Sequence, residues 1–291
     1  MSFGPLVSAG WLREHIGDPD VRVIDFRWYL AGRAQGALPD GKGRDEYLRG
    51  HIPGALFVDL EAVTGTRGGG RHPLPAAWQV QDEMQKAGVD DVTKVVVYDD
   101  AGGSVAARLW FLLSWFGHGA QAVLDGGLQA WGEPLETRIP SVIRGTFRSR
   151  PPDRTRILDF DAVRQLEDVP MLDARAGERY RGEKEPVDPK AGHIPGALSA
   201  PWMENLDPDG RFKSPGELLA RFSGLGAADG AVVYCGSGVN ACHDLLAMEL
   251  AGVPNGRLYA GSWSDWSQHE APVATGKEPG EGSSTKSEAA P

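Results

Sequence analysis

The feature that most constrains this chain is that it repeats itself. Gly50-His51-Ile52-Pro53-Gly54-Ala55-Leu56 recurs as Gly192-His193-Ile194-Pro195-Gly196-Ala197-Leu198, an identical heptapeptide displaced by 142 positions (193 − 51). Three more landmarks recur in the same order. Val23-Ile24-Asp25-Phe26-Arg27 answers to Met171-Leu172-Asp173-Ala174-Arg175, residues 95–98 answer to 231–234, and residues 126–131 answer to 261–266. Displacements that drift between 135 and 148 while order is kept mark a duplicated fold whose loops have changed length. A chain of 291 residues holds two domains of ordinary size.

Each copy has the same rhythm. Short apolar, mostly β-branched runs (residues 21–26, 94–98 and 122–124, then 171–173, 231–234 and 257–259) read as strands buried on both faces. Helical patterns lie between them at 75–87 and 106–116, then at 159–166, 215–222 and 242–251. Strands alternating with helices predict an α/β fold of two tandem domains, each a parallel sheet flanked by helices. The expected division is a first domain over 1–140, a linker over 141–156, a second domain over 157–272 and a disordered tail over 273–291.

Composition narrows the partners. Thirty basic against forty acidic residues leave a net charge of −10, which disfavours nucleic acid, whose binding rests on neutralising phosphates. The longest apolar stretch, around residues 109–116, falls well short of a membrane span, and residues 1–5 lack the pattern of a secretory signal. A cytoplasmic location is therefore expected. The two cysteines, Cys235 and Cys242, lie seven positions apart, which matches neither a redox CxxC pair nor a zinc knuckle. No metal is expected.

The chemistry is expected where the copies differ. In a parallel sheet, ligands gather at the loops after the carboxyl ends of the strands. After the central Val-Val-Tyr strand the first copy has Asp99, followed by Asp100-Ala101-Gly102-Gly103-Ser104; the second has Cys235, followed by Gly236-Ser237-Gly238-Val239-Asn240-Ala241. Two glycines let consecutive amides converge on one point, and the following helix aims its positive end there. Such a cradle favours a thiolate or the outer sulfur of a persulfide. In the first copy, Asp99 and Asp100 would repel an anion. By the same reading Cys242 belongs to the core, His51 and His193 stabilise turns, Trp131 and Trp266 pack domain edges, and residues 68–70 form a flexible glycine loop.

The ordered set of Asp25, the two GHIPGA motifs, GGLQAW, the Cys235–Ala241 loop and GSWSDW resembles the two-domain rhodanese superfamily, over essentially residues 6–266. The resemblance implies two rhodanese-like domains that pass sulfur from a small anionic donor to a thiol, cyanide or redox-protein acceptor through a cysteine persulfide. No cofactor is expected, because sulfur is both nucleophile and cargo, and charge and apolar run lengths give no expectation of a membrane or nucleic-acid partner. Gly236 and Ser237 are similar to the mercaptopyruvate branch, whose loop reads Cys-Gly-Ser-Gly-Val-Thr-Ala; thiosulfate sulfurtransferases carry cations there, and Asn240 departs from the branch's Thr.

The same resemblance implies a catalytic set of Cys235, Ser237, His51 and Asp45, and donor binding by Arg179, Trp28 and the loop residues Gly236, Gly238, Val239, Asn240 and Ala241. Trp28 and Tyr29 would wall the cleft. A second family arginine, in a Glu-Pro-Arg segment, is absent, because the chain reads Glu185-Pro186-Val187-Asp188; Arg181 is the candidate substitute. Two alternatives stay open. Thiosulfate could be the donor. Cys235 could instead serve a carrier or redox module paired with Cys242. A cysteine phosphatase would need an arginine where Ala241 stands.

Overall fold

The β-branched runs become the centres of two separate five-stranded sheets in the computed structural model, which describes residues 3–30 and 42–280. The first contains β1 (Leu6–Val7), β2 (Val21–Asp25), β3 (Leu56–Phe57), β4 (Lys94–Tyr98) and β5 (Gln121–Leu124), in the order β1-β5-β4-β2-β3. The second contains β6 (Ile157–Leu158), β7 (Met171–Asp173), β8 (Ala197–Ser199), β9 (Val232–Tyr234) and β10 (Arg257–Tyr259), in the equivalent order β6-β10-β9-β7-β8. Every pairing is parallel, with registers such as Ile24 opposite Val97 and Leu172 opposite Val233. The outer strands β1, β3, β6 and β8 escape a sequence reading because they are two or three residues long and lie outside the apolar runs that mark the inner strands.

Helices cover both faces. The first sheet is dressed by α1 (Ala9–His15), α2 (Gly43–Arg49), α3 (Ala77–Lys86), α4 (Ala106–Trp115) and α5 (Gly127–Trp131). The second carries α6 (Phe160–Arg164), α7 (Gly177–Tyr180), α8 (Pro215–Gly224), α9 (Ala241–Leu250) and α10 (Ser262–Trp266). Helices α4 and α9 are buried almost all round, as suits helices packed on two sides. They pack on each other, and one apolar cluster runs from Val97 and Leu109 across to Leu246 and Met248. The seam between the two units is thus a continuation of the core.

One charge is buried in that seam. Arg108 on α4 is fully covered and donates from Nη1 to the Gly238 carbonyl (3.2 Å) and from Nη2 to the His72 carbonyl (3.1 Å). It ties a loop of each unit to the other.

The connecting stretch lies along the first unit: the amides of Gly145, Phe147 and Arg150 donate to the carbonyls of Gln85, Val89 and Phe116. Part of the expected disordered tail is ordered. Ala274 and His193 exchange backbone hydrogen bonds (2.8 and 3.0 Å), and the Gly196 amide donates to Pro279 (2.7 Å). These backbone bonds replace the side-chain burial that the segment's polar composition lacks. Residues 281–291 of that expected tail lie outside the described residues. Among the described residues, no helix is long and apolar enough to cross a membrane.

Candidate active site

The duplicated motifs hold the frame. Asp173, at the end of β7, accepts from Arg175 Nη2 (2.6 Å), whose guanidinium also donates to the Gly192 carbonyl (2.6 Å). In the first copy Asp25, Arg27 and the Gly50 carbonyl repeat the arrangement (2.6 and 2.8 Å). His51 stacks on Tyr47 with ring centroids 3.9 Å apart and donates from Nδ1 to the Tyr47 carbonyl (2.8 Å). His193 does the same with Tyr180, at 3.7 and 2.8 Å. Both histidines therefore fasten turns.

This corrects the expected Ser237–His51–Asp45 set. His51 is committed to a turn common to both copies, and Asp45 is exposed in the first turn of α2. The partner of Ser237 is His72, whose Nδ1 lies 2.8 Å from Ser237 Oγ. Its Nε2 faces Glu61 Oε1 at 3.8 Å. That separation is too long for a hydrogen bond, so the ring proton can sit on Nδ1 and be donated to Ser237 Oγ. Burial, aided by the cations of Arg108 and Arg71, lowers the His72 pKa to about 4, so the ring is neutral at physiological pH. Trp28 stands edge-on to His72 (4.9 Å) and donates from Nε1 to Glu61 Oε1 (3.2 Å). Tyr29 turns its hydroxyl to Asp100 (2.6 Å).

Strand β9 delivers Cys235 to the start of the loop, where it is 2% exposed. The loop is anchored from below: the Cys235 amide donates to Ser262 Oγ (3.1 Å), and the amides of Trp263 and Ser264 donate to the carbonyls of Cys235 and Gly236 (2.9 and 2.8 Å). Gly238 is obligatory, since its φ is +76° and a Cβ there would stand 2.6 Å from the Ala260 carbonyl oxygen. Asn240 opens α9, and Val239 and Ala241 are buried beside it.

The first copy displays what this loop is built to hold. Asp99 turns its carboxylate back into the cradle. Oδ1 accepts from the amides of Ala101 and Gly103 (2.9 and 2.8 Å), and Oδ2 from those of Val105 and Ala106 (2.7 and 2.8 Å). Burial raises this carboxyl's pKa, and the four amides pull it the other way. So the expected repulsion of anions at Asp99 has a more specific cause, because the aspartate is itself the bound anion. Around Cys235, by contrast, the amides of residues 236–241 have no protein acceptor among the described residues. They are left for a sulfur anion.

Cys242 is fully buried, with its Sγ donating to the Gly238 carbonyl (3.3 Å). Burial pushes its thiol pKa up to about 11, so it stays protonated at neutral pH and makes a poor disulfide partner.

Two guanidiniums close the mouth. A Cβ built on Gly236 would stand 3.0 Å from Arg71 Nη2 and 3.3 Å from Arg179 Nη1. Arg179 is paired with Glu185 (2.6 Å) and Asp188 (3.0 Å), and Arg71 with Asp188. Arg181 forks onto Glu183 (2.7 Å), and the atoms nearest the Gly236 position belong to Arg71 and Arg179 rather than to it.

Arg71, His72 and Glu61 were not singled out in the sequence. One signal was available: His51 has a counterpart in the second copy, as any shared fold residue should, whereas His72 stands beside a glycine run that the second copy lacks. That run is no free loop, since a Cβ on Gly70 would meet the Gly261 carbonyl oxygen at 2.4 Å.

A duplicated parallel α/β unit with one cysteine at the head of a loop of unpartnered amides defines the class as a tandem α/β protein with a single candidate nucleophile. The profile of the rhodanese-like domain matches residues 8–134 and 160–269. The chain is 44% identical over 291 residues to a probable 3-mercaptopyruvate sulfurtransferase of Pseudomonas aeruginosa, covering 95% of this chain and all of that one. It is 36% identical over 291 residues to a thiosulfate sulfurtransferase of Cricetulus griseus, covering 93% and 94%. The crystal structure of SseA from Escherichia coli, described as a 3-mercaptopyruvate sulfotransferase with the rhodanese fold, superposes with a TM-score of 0.77 at 34% identity, covering 90% of this chain and 99% of that one. The chain belongs to the rhodanese family of sulfurtransferases.

Proposed function

We propose that this chain takes sulfur from 3-mercaptopyruvate onto Cys235 and hands it to a thiol, cyanide or reduced redox-protein acceptor. The observation that carries this reading is the Ser237–His72 hydrogen bond beside an amide cradle that contains no cation of its own. The Cys235 thiolate attacks the donor's sulfur, and an S–S bond forms as the donor's S–C bond breaks. The electron pair goes to the departing pyruvate as its enolate. The proton carried by the transferred thiol ends on the enolate carbon, leaving pyruvate and an ionised persulfide.

Each neighbour has a task in this scheme. Arg179 forks onto the donor carboxylate and fixes the approach. Ser237 keeps its own proton for the enolate oxygen as charge develops, while Nδ1–H of neutral His72 donates to Oγ and orients the hydroxyl. The amides of residues 236–241 hold the persulfide until the acceptor removes the outer sulfur. Trp28 walls the cleft. Within the division proposed from the repeat, residues 1–140 supply His72 and Trp28, and residues 157–272 supply the nucleophile. A reducing cytoplasm suits two buried free thiols.

Thiosulfate is the second reading. It is favoured by the two guanidiniums at Gly236 and by the relative named as a thiosulfate sulfurtransferase. The test is kcat/KM for both donors on one preparation, with intact mass after donor treatment. The expected results are a preference for 3-mercaptopyruvate, a gain of one sulfur on Cys235 and no turnover by Cys235→Ser. Thiosulfate winning by about tenfold reverses the ranking, and an unchanged mass with both donors sinks the persulfide.

A further inference from the structure

We propose that Arg71, carried in from the first unit, is a second guanidinium for the donor's anionic end, and that Asp188 beside it sets the donor charge this clamp accepts. The inference rests on the sulfur-donor reading above and deepens it.

The geometry starts with convergence. The nitrogens of Arg71 and Arg179 approach one point from different domains, within contact range of the position a Gly236 side chain would take. Gly236 immediately follows Cys235, so the point lies within one small molecule of the nucleophile. Arg71 is placed there by its backbone, whose amide donates to Ser264 Oγ (3.0 Å) on α10. Its Nε is buried and has no hydrogen-bond partner among the described residues, which leaves a donor unsatisfied at this spot. The Glu185–Asp188 segment carries no arginine of its own.

Charge then decides what fits. Arg71, Arg175 and Arg179 face Asp173, Glu185 and Asp188, so the cluster is balanced before any donor arrives. Asp188 is almost wholly buried and touches both arginines that flank the cleft. A donor bearing one carboxylate adds one negative charge to this cluster; thiosulfate adds two. Like-charge repulsion from a buried carboxylate acts more strongly on the second. Asp188 thereby discriminates between donors that the two arginines alone would both accept.

Steady-state kinetics with 3-mercaptopyruvate and with thiosulfate, cyanide as acceptor, tests this on the full chain. Arg71→Met is expected to raise KM for 3-mercaptopyruvate by at least about tenfold, as for a lost charge-assisted hydrogen bond, with kcat little changed. Arg71→Lys should recover only part, because an ammonium does not fork. The Arg71→Met/Asp188→Asn double variant should keep a raised KM for 3-mercaptopyruvate although the ion pair has been removed as a unit. Asp188→Asn alone should lower KM for thiosulfate by a larger factor than KM for 3-mercaptopyruvate. An unchanged KM in Arg71→Met overturns the clamp, as does a double variant that returns to wild type, since the pair is then only a structural tie. Equal factors for both donors in Asp188→Asn overturn the charge selection. If wild-type Cys235 gains sulfur from neither donor, the donor reading itself has failed, which intact mass records separately.

Discussion

His72 and Ser237 act as a neutral pair. A ring that resists protonation until about pH 4 is a weak base, so its task is to hold the serine hydroxyl in one direction. The rate ratio of wild type to His72→Asn with 3-mercaptopyruvate is therefore expected to stay flat between about pH 5.5 and 8. A ratio that collapses through the ordinary histidine range would show that imidazolium does the work. Stability has its own signature. The unfolded chain protonates this histidine below about 6.5, while the folded chain refuses the proton until about 4. The contribution is thus complete above about pH 6.5 and is lost as pH falls toward 4, by at most about 3 kcal/mol. Urea titrations of wild type and His72→Asn at pH 7.5 and 4.5 would measure it, and the wild type should lose more stability between the two. At this scale the candidate nucleophile and its loop were legible in the sequence, because a thiol replaces a carboxylate at equivalent places in a repeat. The identity of the histidine was not, because which of several histidines meets Ser237 depends on how the two domains dock.

At the scale of elements, the two strand-end loops are the same device in two states. Four amides close on the Asp99 carboxylate in one, and the corresponding amides around Cys235 carry no protein acceptor in the other. Asp99→Ala would strand four donors, three of them buried, and open a cavity, so a loss of about 3–5 kcal/mol is expected in chemical denaturation. Asp99→Asn keeps the shape but turns an amide NH2 toward N–H groups, so it should fall between. If Asp99→Ala is as stable as wild type, the carboxylate is not the plug of that cradle. The central strands and long helices were readable from composition and period. The short elements, such as α2 and α7, were not: their last turns are fastened by His51 on the Tyr47 carbonyl and His193 on the Tyr180 carbonyl, and so few residues leave no period.

At the scale of the whole molecule, the site exists only where the two units meet. The seam of α4 and α9, the buried Arg108 and the glycine run at residues 68–70 together set the distance between His72 and Ser237. Gly70→Ala should be disproportionately harmful to activity. Its φ of +83° strains any side chain, and the added methyl meets the Gly261 carbonyl and Ser264 Oγ (2.7 Å), pushing Arg71 and His72 off the cleft. A fall of about a hundredfold in kcat/KM with only a modest drop in Tm is expected; an enzyme of normal kcat/KM would mean the loop tolerates displacement. Sequence alone could announce two copies but could not orient one against the other, since that orientation resides in side-chain packing across the seam.

The plugged cradle of the first unit has a consequence for stoichiometry. With its own side chain already seated as permanent tenant, that half has no room for cargo, so on the proposed mechanism exhaustive loading should end at one atom of sulfur per polypeptide although the architecture was built twice.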